Sequence, residues 1–198
     1  MDSRTRLVEA TQDLLWEQGY SATSPKDIMR RSGAGQGSMY HHFTNKQELA
    51  VEALERSAQS MRHDAEKLLA ADGSACEIAT AYLRRQRDVL KGCRMGRMTF
   101  DADVLNTPEL IEPVTRTFVW LLEALTVLFE RGRDQGEFAA DIDARNLASL
   151  VVATVQGGYV LARATRDTDA FDAAVEGAAA LLRKATVPLA TEVSDHSE

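Results

Sequence analysis

Along most of this chain apolar residues recur at intervals of three and four, and β-branched alternation is nearly absent. That period matches a helix with one buried face, so it predicts an all-α protein of about nine helices. Ser3 to Gln18 carries Leu7, Ala10, Leu14 and Leu15 on one side, and Gly19 follows as a stop. Two short helices come next, Pro25–Ser32 and Gln36–Phe43, interrupted by Gly33 and Gly35. A long helix from Asn45 has Leu54, Ala58, Met61, Ala65 and Leu68 in one stripe. Ala75–Leu90 is a further amphipathic helix, and GCRMGRMTFDADVLNTP reads as one short helix between turns. Pro108–Arg133, Ala144–Ala164 and Ala170–Ala185 complete the set.

The sharpest punctuation lies at two helix starts. In TSPKDI, Ser24 can cap, Pro25 suits the first helical position and Asp27 completes an S-x-x-D box. TNKQE offers two such boxes, Thr44–Gln47 and Asn45–Glu48. The expected organisation is therefore an N-terminal three-helix unit over residues 1–46, a helical unit over 47–187, and a polar, disordered tail over 188–198.

Net charge is -7, which at first argues against a nucleic-acid partner. Its distribution says otherwise. Between Ser24 and Lys46 the basic residues are Lys26, Arg30, Arg31 and Lys46, against Asp27 alone. A basic segment thus sits inside an acidic protein. The chain contains no unbroken run of about 18 apolar residues, so no membrane span or membrane partner is expected. MDSRTRLVEA lacks the basic-then-apolar order of a signal peptide, which predicts a cytoplasmic protein. Cys76 and Cys93 match no zinc or redox spacing and are expected to be reduced, small apolar residues.

The stretch GSMYHHFTNKQELA concentrates rings and polar groups. As neighbours on a helix, His41 and His42 diverge by about 100° and do not share a face as metal ligands do. No metal and no cofactor is expected. Catalysis would need an acidic or thiolate partner for the histidines, and Ser38 four residues from His42 is a weak substitute. Docking on DNA explains more. Two short helices joined by a glycine-containing turn have helix-turn-helix dimensions, with the N-terminal residues of the second helix, Gln36, Gly37 and Ser38, at base edges. Gln suits bidentate contact with adenine, and Ser can contact any base. Ser24, Tyr40, His42 and Lys46 supply donors for phosphate oxygens. Binding that rests on such contacts is expected to weaken steeply with salt.

SPKDIMRRSGAGQGSMYHHFTNKQEL, Ser24–Leu49, resembles the DNA-binding segment of the TetR family of transcriptional repressors, above all in its Y-x-H-F-x-x-K pattern. The resemblance implies phosphate contacts from Ser24, Tyr40, His42 and Lys46, and base or groove contacts from Lys26, Gln36, Gly37, Ser38 and His41. It implies a double-stranded operator, a homodimer and a small-molecule effector that releases DNA. The turn departs from the family pattern, with Ala34 and Gly35 where valine and a hydroxyl residue are usual. GCRMGRM and GEFAADIDARNLASLVVATVQGGYVLAR are similar to the drug- and flavonoid-responsive subclass, which favours a mostly apolar effector.

Ala144–Ala164 is apolar nearly all round and needs cover on two sides, one of them a second copy of the chain. The expected dimer interface is Leu150, Thr154, Gly157, Gly158 and Leu161 with Ala174, Ala178 and Leu181, and Gly158→Leu is expected to give monomers. For the effector, Tyr82 and Gln86 share a face as polar groups, and Met61, Met98, Phe100, Phe118, Trp120, Leu121 and Tyr159 supply apolar walls. Gln86→Leu is expected to weaken the response. Two rival functions stand beside this one: an enzyme using His41 and His42, and a constitutive DNA-binding or adaptor protein with a filled core.

Overall fold

The computed structural model describes residues 2–187. Ten helices are present among them: α1 (Ser3–Gln18), α2 (Pro25–Ser32), α3 (Gln36–His42), α4 (Lys46–Leu69), α5 (Ala75–Arg84), α6 (Arg94–Met98), α7 (Ala102–Leu105), α8 (Pro108–Asp134), α9 (Ala144–Thr165) and α10 (Asp169–Ala185). The tail expected to be disordered, 188–198, lies outside the described residues. The all-α expectation holds, with one helix more than counted because residues 92–107 form two short helices.

Local chemistry sets the boundaries. Ser24 and Asp27 form the full capping box at α2, and Gly33 ends that helix in the left-handed conformation at φ 67°. At α4 half of the second expected box forms: Asn45 Oδ1 accepts from Glu48 N at 2.9 Å, while the Glu48 carboxylate accepts from Thr44 N at 2.7 Å, one residue before the cap. The clearest misjudged boundary is that of α5, which stops at Arg84 and not at Leu90. Arg87 is the reason. Its guanidinium donates to the carbonyls of Tyr82 (2.6 Å), Leu83 (2.7 Å) and Arg85 (2.8 Å). All three are acceptors that N–H groups of a helix continuing to Leu90 would have used.

Two hydrophobic cores result. One joins α1–α3 and the first half of α4, through Leu7, Ile28, Met39, Phe43 and Leu49, to Met95, Met98, Val104, Leu110 and Val114. The other gathers α5 and α8–α10 around Leu83, Leu121, Leu125, Phe129, Val155, Tyr159 and Phe171. Phe118 and Cys93 touch both. The first core therefore does not stop at residue 46 but runs along α4 into α6–α8.

α9 lies between α8 and α10. By length and composition it could cross a membrane, although its apolar residues form no unbroken run. Here it is a core helix whose two sides differ. Val151, Val155, Gly158 and Ala162 face inward, while Leu150, Gly157, Val160 and Leu161 are exposed. The expected dimer set divides accordingly. Gly158 lies under Phe171, whose ring carbon would stand 2.7 Å from an added Cβ, and Ala178 is buried in the chain's own core. Both are corrected to intramolecular contacts. Gly157 has nothing within 4 Å of its Cβ position, Leu181 is exposed, and Thr154 and Ala174 are half-buried.

Candidate nucleic-acid interface

Buried residues at two positions fix the placement of α3. Met39 and Phe43 are enclosed by the N-terminal core, so the rest of this seven-residue helix faces outward. Gln36, Gly37 and His41 are exposed, Tyr40 is 49% exposed, and Ser38 and His42 are half-buried. Its N-cap, Gly35, offers no side-chain cap. Phe43 is held from outside by the Arg4 guanidinium, 5.3 Å from its ring centre.

Seven of the nine expected DNA-contacting residues lie on α2 and α3, Ser24 caps α2, and Lys46 opens α4. Several already have partners. The Ser24 hydroxyl donates to Asp27 Oδ2 at 2.6 Å, and its N–H reaches the same oxygen at 3.1 Å. These bonds hold the Asp27 carboxyl below the usual carboxylate range. A phosphate at Ser24 must displace that carboxylate. His42 Nε2 lies 2.8 Å from Ser3 Oγ, which ties the end of α3 to the start of α1. Neither histidine bonds a carboxylate or a thiol among the described residues.

Lys46 differs most from its expected placement. Its ammonium donates to the carbonyls of Tyr20 (3.2 Å) and Thr23 (3.1 Å) and sits 3.8 Å from the centre of the Tyr20 ring. Burial pushes its pKa down. In this state it fastens the α1–α2 turn to α4. Arg30 pairs with Asp27, Arg31 forms a two-pronged bond with Glu17, and Arg4 pairs with Glu52. Arg6 and Lys26 are the cations of this unit left without such partners among the described residues. The basic segment is thus less free than its sequence implies.

A second set of contacts ties this unit to the rest of the chain. Trp16 Nε1 donates to Gly92 O at 3.0 Å, and the Arg94 guanidinium lies 4.0 Å from the Trp16 ring. Asp101 caps α7 and accepts from Ser21 N (2.8 Å) and Ser21 Oγ (2.6 Å). Cys93 is no mere apolar filler, since its sulfur caps α6 by accepting from Gly96 N at 3.2 Å. None of these is readable from spacing, because the partners stand roughly 80 residues apart or involve a backbone atom.

Comparison with known proteins decides the family. Residues 7–53 match "Bacterial regulatory proteins, tetR family", and residues 66–178 match "Tetracyclin repressor-like, C-terminal domain". The chain belongs to the TetR family. Its function is that of a DNA-binding transcriptional regulator. It is 25% identical over 190 residues to the uncharacterized HTH-type transcriptional regulator YxaF of Bacillus subtilis, covering 92% of this chain and 96% of that one. A TetR transcriptional regulator from Chloroflexus aurantiacus superposes with a TM-score of 0.83 at 27% identity, covering 93% and 96% of the two chains. The regulator CifR, as a cysteine mutant complexed with 26-base-pair operator DNA, shares the fold at a TM-score of 0.75 and 21% identity, covering 89% and 94%.

In this TetR-family chain the nine residues expected to hold an effector do not share one cavity. Tyr82, Leu121 and Tyr159 are packed in the second core, with Phe118 between the cores. Burial raises the Tyr159 phenol to about 12. Met98 is fully enclosed in the first core. Trp120 is partly covered by the Arg62 guanidinium, 5.0 Å from its ring. Met61 lines a cleft with Asp13, Asp64 and Arg94. Gln86 is exposed and is corrected from sharing a helical face with Tyr82, because the chain has already left the helix. Phe100 is 79% exposed and stands outside both cores.

Proposed function

We propose that this regulator is a homodimeric repressor that reads a two-fold symmetric operator and releases it when a small, mostly apolar effector binds. The observation that carries the reading is the pairing of two uncovered faces. One is the polar outer side of α3, with Gln36, Gly37 and Ser38 at its start. The other is the apolar outer side of α9 and α10, with Leu150, Gly157, Leu161 and Leu181. A second copy laid on the second face would present two copies of the first, as half-sites about 34–36 Å apart require.

In this reading residues 1–46 recognise DNA, and Gln36, Gly37, Ser38, Lys26 and His41 meet the groove. Tyr40 and His42 meet phosphates, joined by Ser24 and Lys46 once their internal partners are exchanged. Residues 47–187 dimerise and sense, and the protein works in the cytoplasm, where operator DNA is reached. Selection of bound sequences from a random DNA pool by the full chain tests it. A palindrome enriched at the expected spacing is the predicted result. Enrichment of a single unpaired half-site would overturn the dimeric reading.

A further inference from the structure

Between the end of α1, the segment joining α6 to α7, and the C-terminal half of α9 lies a cleft of about 300 Å³. That is near the lower bound for small-molecule sites. Arg97 and Arg163 both line it, and neither has an ion-pair partner among the described residues. Elsewhere Arg4, Arg31, Arg84 and Arg116 each hold a carboxylate from another element. Arg97 is partly buried, and its Nε is enclosed with no hydrogen-bond partner. Burial and the neighbouring Arg163 charge push its pKa below the ordinary value, with Asp101 pulling the other way. Asp101 is no free counter-ion, because its oxygens already accept from Ser21 and from the N-terminus of α7.

Beside the two guanidiniums the cleft holds the Gln18 amide and the already bonded Asp101 carboxylate, and its remaining side is apolar. Phe100 is 79% exposed and Val160 52% exposed, and both line it. Two unpaired cations next to uncovered apolar surface suit a ligand with both features. An uncharged apolar molecule would leave the guanidiniums without a partner. A bare inorganic anion would leave Phe100 in water. We propose that this cleft binds a small amphipathic carboxylate, its two oxygens between Arg97 and Arg163 and its apolar body on Phe100 and Val160. Guanidinium forks match carboxylates in geometry as well as charge.

The position gives the site a consequence for DNA, which rests on the ligand-released repressor proposed above. Asp101 lines the same cleft and holds Ser21, in the turn that leads into α2. Gly19 approaches so closely that a Cβ there would stand 2.9 Å from Asp101 Oδ2. A second carboxylate placed beside Asp101 repels it and weakens its hold on that turn. Acid and operator then oppose each other by one shared coupling energy.

Isothermal titration of the full chain with octanoate, octanamide and inorganic phosphate tests the site directly. Octanoate is expected to bind, with octanamide and phosphate each weaker by about tenfold or more, the loss typical of a charge-assisted contact. Arg163→Gln, at an exposed position, should keep the parent melting temperature and lose about tenfold in octanoate affinity. Arg97→Gln should behave alike, and Phe100→Ala should weaken octanoate more than phosphate. Equal binding of acid and amide, no octanoate binding at about 10 mM, or an Arg163→Gln protein of parental affinity each overturns the site. Operator affinity is read separately by fluorescence anisotropy. If octanoate binds and the operator affinity stays constant, the link through Asp101 is wrong while the site stands. If no DNA is bound at all, the repressor reading fails and the titration still decides the site.

Discussion

α3 and the α9–α10 pair each leave one side of a helix uncovered, and the two sides could hardly differ more. Outward from Met39 and Phe43, α3 shows an amide, a phenol, an imidazole and the bare backbone of Gly37. Outward from Val155 and Phe171, α9 and α10 show leucine, valine, alanine and glycine. Water satisfies the first face, and a DNA backbone can replace that water contact for contact. It cannot satisfy the second, where each exposed Å² of apolar surface costs about 25 cal/mol. In the proposed function one surface meets a partner that comes and goes, and the other a partner that stays.

The largest expected effect strikes the second face. Leu161→Glu combined with Leu181→Glu should turn dimers into monomers in sedimentation velocity. It should lower operator affinity by about 100-fold or more, as the linkage of two half-sites is lost. Dimers of parental affinity would break the comparison. Next comes the pair of adjacent glycines. Gly158→Leu forces a side chain into the Phe171 ring and should cost about 1–3 kcal/mol or more in urea unfolding. Gly157→Leu, pointing outward, should leave monomer stability nearly unchanged and act on the dimer alone. The reverse order would mean that the two sides of α9 have been confused.

The recognition face is expected to respond more narrowly. Gln36→Ala should cost about 1–3 kcal/mol, confined to one base position, with preference relaxed there and the dimer intact. A uniform loss over all sequences would assign Gln36 to phosphate. The smallest effect concerns the α3 cap. Nothing lies within 4 Å of a Cβ at Gly35, so Gly35→Ser fits and should stabilise by a few tenths of a kcal/mol, about 0.3, visible as a slight rise in Tm. A loss of stability would show that the turn needs glycine for a reason beyond capping.

What could be read from the sequence was local. The bounds of α1 and α2 and the start of α4 follow from residues within four places of one another, such as Ser24 with Asp27 and Asn45 with Glu48. α3 is legible for the same reason, because Met39 and Phe43 repeat at the helical period. Faces are harder. Gly157 and Gly158 are neighbours on a helix apolar nearly all round, and about 100° of rotation separates the exposed side from the core. Only the placement of Phe171 tells them apart. Gln86 failed because a guanidinium one residue further on ends the helix, and no spacing rule covers a side chain taking backbone carbonyls. Lys46 matched its motif in sequence, but its ammonium is held by carbonyls of Tyr20 and Thr23 that no pattern of residue types can announce.

That commitment of charge bears on how the protein would find its site. With Arg4, Arg30 and Arg31 engaged internally, and Lys46 available only after it leaves the carbonyls of Tyr20 and Thr23, the N-terminal unit offers Arg6 and Lys26 as cations without such partners among the described residues, on a chain of net charge -7. Few counterions are displaced on contact, so the dependence on salt should be shallower than the basic segment alone implies. Random chromosomal DNA then retains the protein only briefly. The search would then proceed by many short visits through solution and little sliding, with the time spent bound set by the operator and not by the abundance of other DNA.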